Sequence, residues 1–493
     1  MTDSVEWLVP QALIFRSRQL PSTLAAGVTS TARATSVIFS FMVLPSSTDL
    51  RAMLRLAFPV AAVQLGIMAM GVIDTIMVGH LSPAALAAAA LGNLYFFISG
   101  IFGQGTLMAL DPVISQAVGA RDEEAISRAL QRGLVLSLAL TVFTCATFLP
   151  VEWVLTALRQ PPDVIPDAAS YVRIAIPGVF PFYAFIVFRQ SLQAMGRVAP
   201  VLWTVLLANL LNAGLNWVFI YGNLGSPALG VAGSSIATSI SRWAMALALL
   251  GIAGHQIAHH LTPWRSETGA IPPLLRMLRI GLPIGVQYLL EYGAFAAAAL
   301  LMGVLGTTQM AAHQIAINLA SFTFMVPLGV STATAVLVGH AIGAGDEEQA
   351  RRAAIAGIFI GAAFMCASAL VFRLFPSVLA RLYTGNTEVL VLAVLLIPIA
   401  GVFQVFDGIQ AVAAGVLRGV GDTHAPAIIN VVGFWLIGLP VSWVLAFRLG
   451  GGAVGLWWGI VVGLAAVAAI LLGRVRVRLG QTMHRVIIDE VPG

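Results

Sequence analysis

The segment GARDEEAISRA (Gly119–Ala129) returns in a related form as GAGDEEQARRA (Gly343–Ala353). The two segments share Gly, Ala, Asp, Glu, Glu, Arg and Ala in register, and their first residues are 224 positions apart in a chain of 493 residues. The same shift brings Phe58-Pro59 onto Leu282-Pro283. A shift that recurs along a chain indicates internal duplication. We therefore predict two structurally equivalent halves.

The repeated segment itself is predicted to be structural. Gly119 and Gly343 can end one helix, and the Asp residues that follow, Asp122 and Asp346, can cap the next helix. Each copy also contains a Glu four residues before an Arg, which is the favoured polarity for an i,i+4 ion pair on a helix.

The composition assigns the chain to the membrane. Hydrophobic residues make up 59% of the chain and charged residues only 10%, whereas an ordinary soluble domain carries about 25% charged residues. Apolar stretches such as 56–78, 134–155 and 284–305 are long enough to cross a hydrocarbon core of about 30 Å. The basic charge balance comes from Arg alone, since the chain contains no Lys. Such Arg residues set membrane topology, so the expected partner is the lipid bilayer and no nucleic acid is expected.

Apolar runs and their breakers predict twelve transmembrane helices. Helices are expected because every backbone N–H and C=O in lipid needs an internal partner, and no segment alternates as a barrel strand does. The predicted fold class is therefore an all-α polytopic membrane protein. The predicted spans are residues 54–79, 85–116, 133–157, 168–190, 199–221, 230–252, 274–303, 310–341, 354–375, 388–414, 425–447 and 453–473.

The duplication divides these spans into six and six. Because six is even, both halves enter the membrane from the same side, and parallel repeats of this kind form transporters with a binding cavity at their interface. We predict two pseudo-symmetric six-helix lobes around a central cavity. The predicted divisions are a dispensable leader at 1–48, an N-terminal lobe at 49–255, a cytoplasmic interlobe linker at 256–273, a C-terminal lobe at 274–476 and a cytoplasmic tail at 477–493.

The distribution of Arg sets the predicted orientation. The connections after spans 2, 4, 6, 8 and 10, with their flanks, carry ten Arg residues, whereas those after spans 1, 5 and 7 carry none. Positive charge is retained on the cytoplasmic side of membrane proteins. Both termini are therefore predicted to be cytoplasmic.

Three acidic residues lie inside predicted spans: Asp74 in GVIDTIMVG, Glu291 in QYLLEYGAF and Asp407 in FQVFDGIQAV. A charge at membrane depth is costly unless it faces protein or a wet cavity, so such residues are functional candidates. A carboxylate in a poorly hydrated cavity can bind a proton, a Na⁺ ion or an organic cation in alternation, which is the chemistry of an antiporter. We predict that all three couple cations, with Na⁺ or H⁺ as the ion. No other metal and no cofactor is predicted.

The duplication relates two of these acids. The residue equivalent to Glu291 is Ile67, and Asp74 lies seven residues, or about two helical turns, further along nearly the same face. We therefore expect Asp74 and Glu291 to face the same central cleft.

Other polar and aromatic residues are candidates for lining a substrate cavity. Asn209 and Asn212 begin a polar stripe on span 5, for which interhelical hydrogen bonding is favoured and cavity lining is the alternative. Three further candidates share spans 7 and 10 with the acids. The candidate cavity residues are Asn209, Asn212, Gln287, Tyr288 and Phe403.

Basic residues in or near the spans receive structural interpretations. Arg189, near the end of span 4, is expected to snorkel to the membrane interface. Arg242, deep in span 6, is expected to pair with an acid or a carbonyl group. His255 and His259 have the i,i+4 spacing of metal ligands, with His260 adjacent, but their position in a connection does not favour a metal site.

Four segments carry a family resemblance: VIDTIMVGHLSPAALAA (Val72–Ala88), PVISQAVGA (Pro112–Ala120), AAHQIAINLASFTFMVPLGVSTATAVLVGHAIGAG (Ala311–Gly345) and QAVAAGVLRGVGD (Gln410–Asp422). With them, the chain from about residue 50 to residue 476 resembles the multidrug and toxic compound extrusion (MATE) transporters, in particular their NorM-like bacterial branch.

The resemblance implies two six-helix lobes in a V shape, with alternating access coupled to inward flow of Na⁺ or H⁺. It also implies that Glu291 and Asp407 are the coupling carboxylates of the C-terminal lobe and that Asp74 is the first-helix acid of the N-terminal lobe. Another branch of the family carries an Asp on the fifth helix, where this chain has Asn216. A cation site like that of the other branch is therefore not expected in the N-terminal lobe.

We interpret the chain as a secondary-active multidrug antiporter and not as an enzyme. It is expected to export small amphipathic organic cations in exchange for Na⁺ or H⁺ across the bacterial cytoplasmic (inner) membrane, and to work as a monomer. An alternative within transport is a MATE-related flippase of lipid-linked saccharides, which should show an Arg-rich cavity. A membrane-embedded enzyme acting on lipid precursors is the other alternative, and it would need a clustered catalytic set at one membrane face.

Overall fold

The structure, a computed structural model, describes residues 45–489. The predicted leader, residues 1–48, lies almost entirely outside this range. Within it, eleven helices are long and apolar enough to span a membrane, and a pair of helices bent by 41° forms a twelfth span. These helices confirm the predicted all-α fold. They are α1 (Ser47–Gly79), α2 (Pro83–Gly119), α3 (Glu123–Phe148), α4 (Ile165–Ile174 and Ile176–Ala194), α5 (Ala199–Tyr221), α6 (Gly230–Leu261), α7 (Ile271–Leu305), α8 (Thr307–Gly343), α9 (Glu347–Leu374), α10 (Thr387–Val420), α11 (His424–Arg448) and α12 (Gly452–Leu479).

Most helix ends lie within a few residues of the predicted ones, and the exceptions have local causes. Helix α3 begins at Glu123, ten residues before the apolar span predicted from residue 133, because the side chain of Asp122 accepts a hydrogen bond from the N–H of Ala125 at 2.9 Å and forms the predicted cap. Helix α6 continues to Leu261 and α7 begins at Ile271. The connection between the two lobes is therefore residues 262–270, which is shorter than the linker predicted at 256–273.

The duplicated segment forms the same structure twice. Asp122 and Asp346 accept hydrogen bonds from backbone N–H groups in the first turns of α3 and α9, at 2.9 and 2.8 Å. Glu124 pairs with Arg128 at 3.1 Å, and the equivalent i,i+4 pair forms in α9. The predicted caps and ion pairs are confirmed.

The two lobes meet through equivalent glycine contacts. Gly105 of α2 lies against the backbone of Gly285 in α7, and the equivalent Gly329 of α8 lies against the backbone of Ala61 in α1. A Cβ on either Gly105 or Gly329 would overlap backbone atoms of the facing helix. Close approach of these helices therefore requires glycine at both positions.

A second pair of glycines closes the same side of the molecule. Gly119 at the end of α2 lies against the backbone carbonyl of His340 in α8, and the equivalent Gly343 lies against the carbonyl of Gln116 in α2. The side chains of Gln116 and His340 each hydrogen bond to a backbone carbonyl of the opposite lobe, at 2.8 and 2.7 Å. We call this side the terminal face, because α1 begins there and the described chain ends there. The lobes are thus closed at the terminal face.

The chain after α12, residues 480–489, crosses the terminal face and is here called the tail segment. Arg485 donates to the carboxylate of Asp122 at 2.8 Å, and Asp489 lies 2.6 Å from the guanidinium of Arg132, so both contacts reach the N-terminal lobe. The backbone of the tail segment also donates to the first Glu of α9 in the C-terminal lobe, at 3.1 Å. The tail segment therefore bridges the lobes.

We expect Asp489→Ala to loosen the tail segment. Burial raises the pKa of Asp489, but hydrogen bonds to Arg132 and the charges of Arg132 and Arg128 outweigh burial and lower the pKa below its usual value. Because the pKa is lowered on docking, the stabilisation is complete at neutral pH and is lost only as the pH falls below the ordinary Asp range of about 3.9.

Trypsin cleavage after Arg485 at pH 8 measures this release. If the ion pairs contribute about 1 kcal/mol, cleavage should be roughly fivefold faster in Asp489→Ala than in the wild type. Gln481→Ala, which changes an exposed residue of the same segment, is the matched control. Equal cleavage rates in all three proteins would contradict the docked tail.

Candidate functional site

Glu291 lies in the middle of α7 and faces α10 and α11. Its two carboxylate oxygens accept hydrogen bonds from the side-chain amides of Gln410 and Asn430, each at 3.0 Å. Gln287, one turn earlier on α7, also hydrogen bonds to it. All of these donors are neutral, and no ion pair of Glu291 forms within residues 45–489. The carboxylate is thus oriented but not neutralised, which leaves it able to bind a cation.

Asp407 is the second acid of this site. It is only 7% exposed on α10, and it lies close enough to Glu291 for the two charges to interact. Its Oδ1 atom has no hydrogen-bond partner within the described range, and neither has Nδ1 of His313 or Nε1 of Trp457, whose rings lie 5.6 Å apart. Two neighbouring carboxylates with no basic partner favour uptake of a proton or a metal cation between them.

A cavity of about 170 Å³ lies beside Glu291. The predicted residues Gln287 and Tyr288 line it, together with the aromatic rings of Tyr292 and Phe295. Most of its wall comes from the C-terminal lobe. Aromatic faces next to a carboxylate provide cation–π contacts and charge for a flat organic cation.

Two other predicted cavity residues serve helix packing. The amide of Asn209 donates to the carbonyl of Gly66 at 3.0 Å and to that of Val205 at 2.8 Å, so it joins α5 to α1. Phe403 is 2% exposed and packs edge-on against Phe295 and Trp457. Neither residue lines the cavity beside Glu291. For Asn209, the structure agrees with the favoured interpretation of interhelical hydrogen bonding.

Asp74 forms a separate site inside the N-terminal lobe. Asn216 of α5 donates to one carboxylate oxygen at 2.6 Å, and Thr238 of α6 donates to the other at 3.0 Å. The predicted cavity residue Asn212 belongs to this network, since its side-chain oxygen accepts from Asn216 at 3.2 Å. The carboxylate thus turns toward α5 and α6 and does not line the cavity beside Glu291. The two acids therefore do not share the cavity beside Glu291, and the donors from α5 and α6 hold the carboxylate of Asp74 within the N-terminal lobe.

Asp74 and Glu291 nevertheless have equivalent hydrogen-bond donors in their two lobes. Asn216 and Asn430 lie on α5 and α11, the fifth helices of their lobes, and each donates to an acid on the first helix of the same lobe. Asn216 therefore has a defined role as a donor to Asp74.

The Arg residues in spans 4 and 6, Arg189 and Arg242, both contact other helices. Arg189 does not snorkel to the membrane interface: it is 5% exposed and contacts Gln64 of α1 at 3.3 Å. The guanidinium of Arg242 lies 3.7 Å from the centre of the Phe96 ring, with the charge of Asp74 nearby. Arg242 thus forms a cation–π contact in addition to its charge interaction with the acid Asp74.

A buried ion pair joins the lobes between the cavity and the terminal face. Asp111 of α2 is fully buried and accepts from Gln190 at 2.8 Å, and its other oxygen lies 3.7 Å from Nε of Arg418 in α10. Arg418 also lines the cavity. The predicted span ended at residue 414, so Arg418 was counted with the flank of the following connection. In the structure α10 continues to Val420, and Arg418 lies within the helix.

Sequence reasoning missed the donors Gln410, Asn430 and Thr238. Each is a polar residue within a strongly apolar span, and polar residues in such spans bond to other helices. This signal was present in the sequence. Their partners could not be assigned, since the rotation of each helix about its axis was unknown.

The family model described as MatE matches residues 59–218 and again residues 283–444. The two matches begin 224 residues apart, which is also the distance between the two copies of the duplicated segment. A protein of Mesorhizobium japonicum described as "Probable multidrug resistance protein NorM" is 40% identical over 438 residues, and the match covers 86% of this chain and 93% of the relative. "Multidrug resistance protein NorM" of Burkholderia vietnamiensis is 38% identical over 430 residues, covering 85% and 92%.

Solved structures show the same fold. The crystal structure of the eukaryotic MATE transporter AtDTX14 matches with a TM-score of 0.79 at 23% identity, covering 89% of this chain and 96% of the other. A multidrug resistance MATE transporter of the MOP superfamily, solved in an outward-facing conformation, also matches with a TM-score of 0.79 at 23% identity, covering 87% and 96%. At this identity the likeness concerns the fold alone.

Proposed function

The chain belongs to the MATE transporter family, which consists of transporters and not enzymes, and we propose that it is a secondary-active antiporter that exports amphipathic organic cations in exchange for Na⁺ or H⁺. The proposal places this multi-pass protein in the bacterial inner membrane as a functional monomer, with both termini in the cytoplasm. The terminal face is then the cytoplasmic face, and the conformation with closed lobes there is outward-facing.

The observation that carries the proposal is Glu291, which lines the cavity, together with Asp407, whose charge interacts with that of Glu291. Both acids lack a basic partner within the described chain, so a cation from outside the protein can satisfy them. Aromatic side chains line the adjacent space. This arrangement provides a site for a small ion and, next to it, a site for a larger apolar cation.

Coupling follows from competition for these carboxylates. In the outward-facing state, Na⁺ or H⁺ binds at Glu291 and Asp407 and releases the organic cation. Opening at the terminal face then exposes the ion to the cytoplasm, where it leaves and a new organic cation enters. An ion can drive this cycle only if it binds the two conformations with different affinities.

The arrangement of basic residues favours cations over lipid-linked saccharides. A flippase of such lipids needs several Arg residues in the cavity to bind phosphate. Within the described residues, Arg418 is the one Arg that lines the cavity beside Glu291, and its charge is paired with Asp111. Recognition of a phosphate would have to break this pair.

Uptake by proteoliposomes tests the proposal. Vesicles loaded with Na⁺ at constant pH, or loaded at acid pH without Na⁺, are diluted into buffer with radiolabelled tetraphenylphosphonium. We expect one of the two gradients to drive uptake above that of protein-free liposomes, while the anion fluorescein is not taken up. If neither gradient drives uptake of this or any other organic cation, but a fluorescent lipid-linked saccharide is flipped, the flippase alternative is correct.

A further inference from the structure

A cluster of potential metal ligands lies on the terminal face, away from the acids of the transport site. It comprises Glu123 in the first turn of α3 and His259 and His260 in the last turn of α6. One ligand atom from each side chain lies within 4.8 Å of the others. The two imidazole rings lie 3.8 Å apart between centres. His255, one turn earlier, is not part of the cluster.

His260 is fixed in position by α3. It is 2% exposed, its Nδ1 atom lies 2.9 Å from the hydroxyl of Ser127, and its backbone carbonyl accepts from Gln131 at 2.9 Å. The hydroxyl of Ser127 has one proton, which it donates to the carbonyl of Glu123 at 2.9 Å. In the tautomer that matches this donation, Nδ1 is the protonated nitrogen that donates to Ser127, and Nε2 carries a free lone pair. Metal-binding histidines are oriented by a hydrogen bond of this type.

The free Nε2 atom of His260 faces a carboxylate. It lies 3.7 Å from Oε2 of Glu123, a distance too long for a hydrogen bond. In this tautomer both atoms present lone pairs, and a cation between them would remove their repulsion. In a tetrahedral zinc site with metal–ligand distances of about 2.1 Å, neighbouring ligand atoms are roughly 3.4 Å apart. The observed separation therefore fits two ligands of one ion.

We propose that Glu123, His259 and His260 bind one divalent transition-metal ion of the Zn²⁺ class. Two imidazoles and a carboxylate are a ligand set that such ions accept, and the exposure of Glu123 and His259 leaves a fourth position for water. Arg197 and Arg265 are both close enough for their charges to act on His260, and Arg265 pairs with Glu124 at 3.6 Å. The charge of Arg265 is therefore partly compensated.

The bound ion would join α3 to the start of the interlobe connection. The sequence did not favour a metal site, because the three histidines were placed in a connection, whereas the structure places them in the last turns of α6. The packing of α3 against α6 adds Glu123 to the cluster of ligands and leaves His255 outside it. This inference does not depend on which substrate the protein transports.

Metal binding by the full chain tests the inference directly. Protein purified with a tag that contains no histidine is incubated with Zn²⁺, passed through gel filtration and analysed for metal by mass spectrometry. We expect one Zn²⁺ per wild-type chain, and none in His259→Ala or Glu123→Gln. His255→Ala and His484→Ala, which replace exposed histidines outside the cluster, should bind as the wild type does.

The absorption spectrum of bound Co²⁺ is a second measurement, and it requires replacement of an exposed residue only. Co²⁺ bound by four ligands should give visible absorption bands in the wild type, and these bands should be lost in His259→Ala, which replaces an exposed residue. Ser127→Ala should bind Zn²⁺ about 10- to 100-fold more weakly, since it removes the group that orients His260. Absence of stoichiometric metal in the wild type, or equal binding in His255→Ala and His259→Ala, would overturn the proposal and leave an adventitious ion only.

Discussion

The variant Glu291→Gln is expected to lose ion-driven uptake of organic cations while it keeps the wild-type fold. Glutamine has nearly the size and shape of glutamate, and it keeps a carbonyl oxygen that Gln410 or Asn430 can donate to. It has no charge with which to bind the coupling ion. Loss of one partner of a buried charge contact costs about 2–5 kcal/mol, so uptake should fall by roughly thirtyfold or more.

The measurement is tetraphenylphosphonium uptake by proteoliposomes under the gradient that drives the wild type. Asp407→Asn is expected to show a similar loss, because both acids share the site. The matched control is Glu388→Gln, which neutralises an exposed acid at the start of α10 and should transport normally. Wild-type uptake by Glu291→Gln at equal protein content would exclude this carboxylate from coupling. The transporter assignment would remain, since it does not depend on this residue.

Substitution of Gly119 or Gly343 by Ala is expected to open the terminal face. At both positions a Cβ would overlap a backbone carbonyl of the opposite lobe, and a backbone carbonyl cannot rotate away as a side chain can. Overpacking of this kind costs about 1–3 kcal/mol. Because the clash exists only while the lobes touch, this cost falls on the closed conformation, and the ratio of open to closed molecules should rise roughly 5- to 150-fold.

Spin labels at positions 124 and 348 report this change. Glu124 and Glu348 are equivalent, exposed residues of the two lobes on the terminal face, and labels there follow the separation of the lobes. The double Cys variant, with the two native Cys residues replaced, should gain a population at longer distance on Gly119→Ala. Gly473→Ala, whose Cβ would meet open space, should leave the distances unchanged. An unchanged distribution in Gly119→Ala and Gly343→Ala would mean that these contacts do not set the conformational equilibrium.

The sequence by itself determined the spans and their duplication. In lipid, backbone N–H and C=O groups must hydrogen bond within the protein, which only helices and closed barrels allow. Because no segment has a barrel pattern, apolar runs of sufficient length had to be helices. The shift of 224 residues then predicted two lobes, and the contacts of Gly105 with Gly285 and of Gly329 with Ala61 repeat at that shift. The positions of the three intramembrane acids were also evident, because few residues in such spans are charged.

Only the tertiary structure decided which side chains meet. Hydropathy finds a span but does not fix its rotation about its own axis, and every hydrogen bond to Asp74 and Glu291 from another helix depends on that rotation. For this reason Asp74 turned out to lie inside its lobe, and Arg189 to be buried. The cluster of Glu123 with His259 and His260 has the same origin, since α3 and α6 are distant in sequence and the packing of their ends brings the three side chains together.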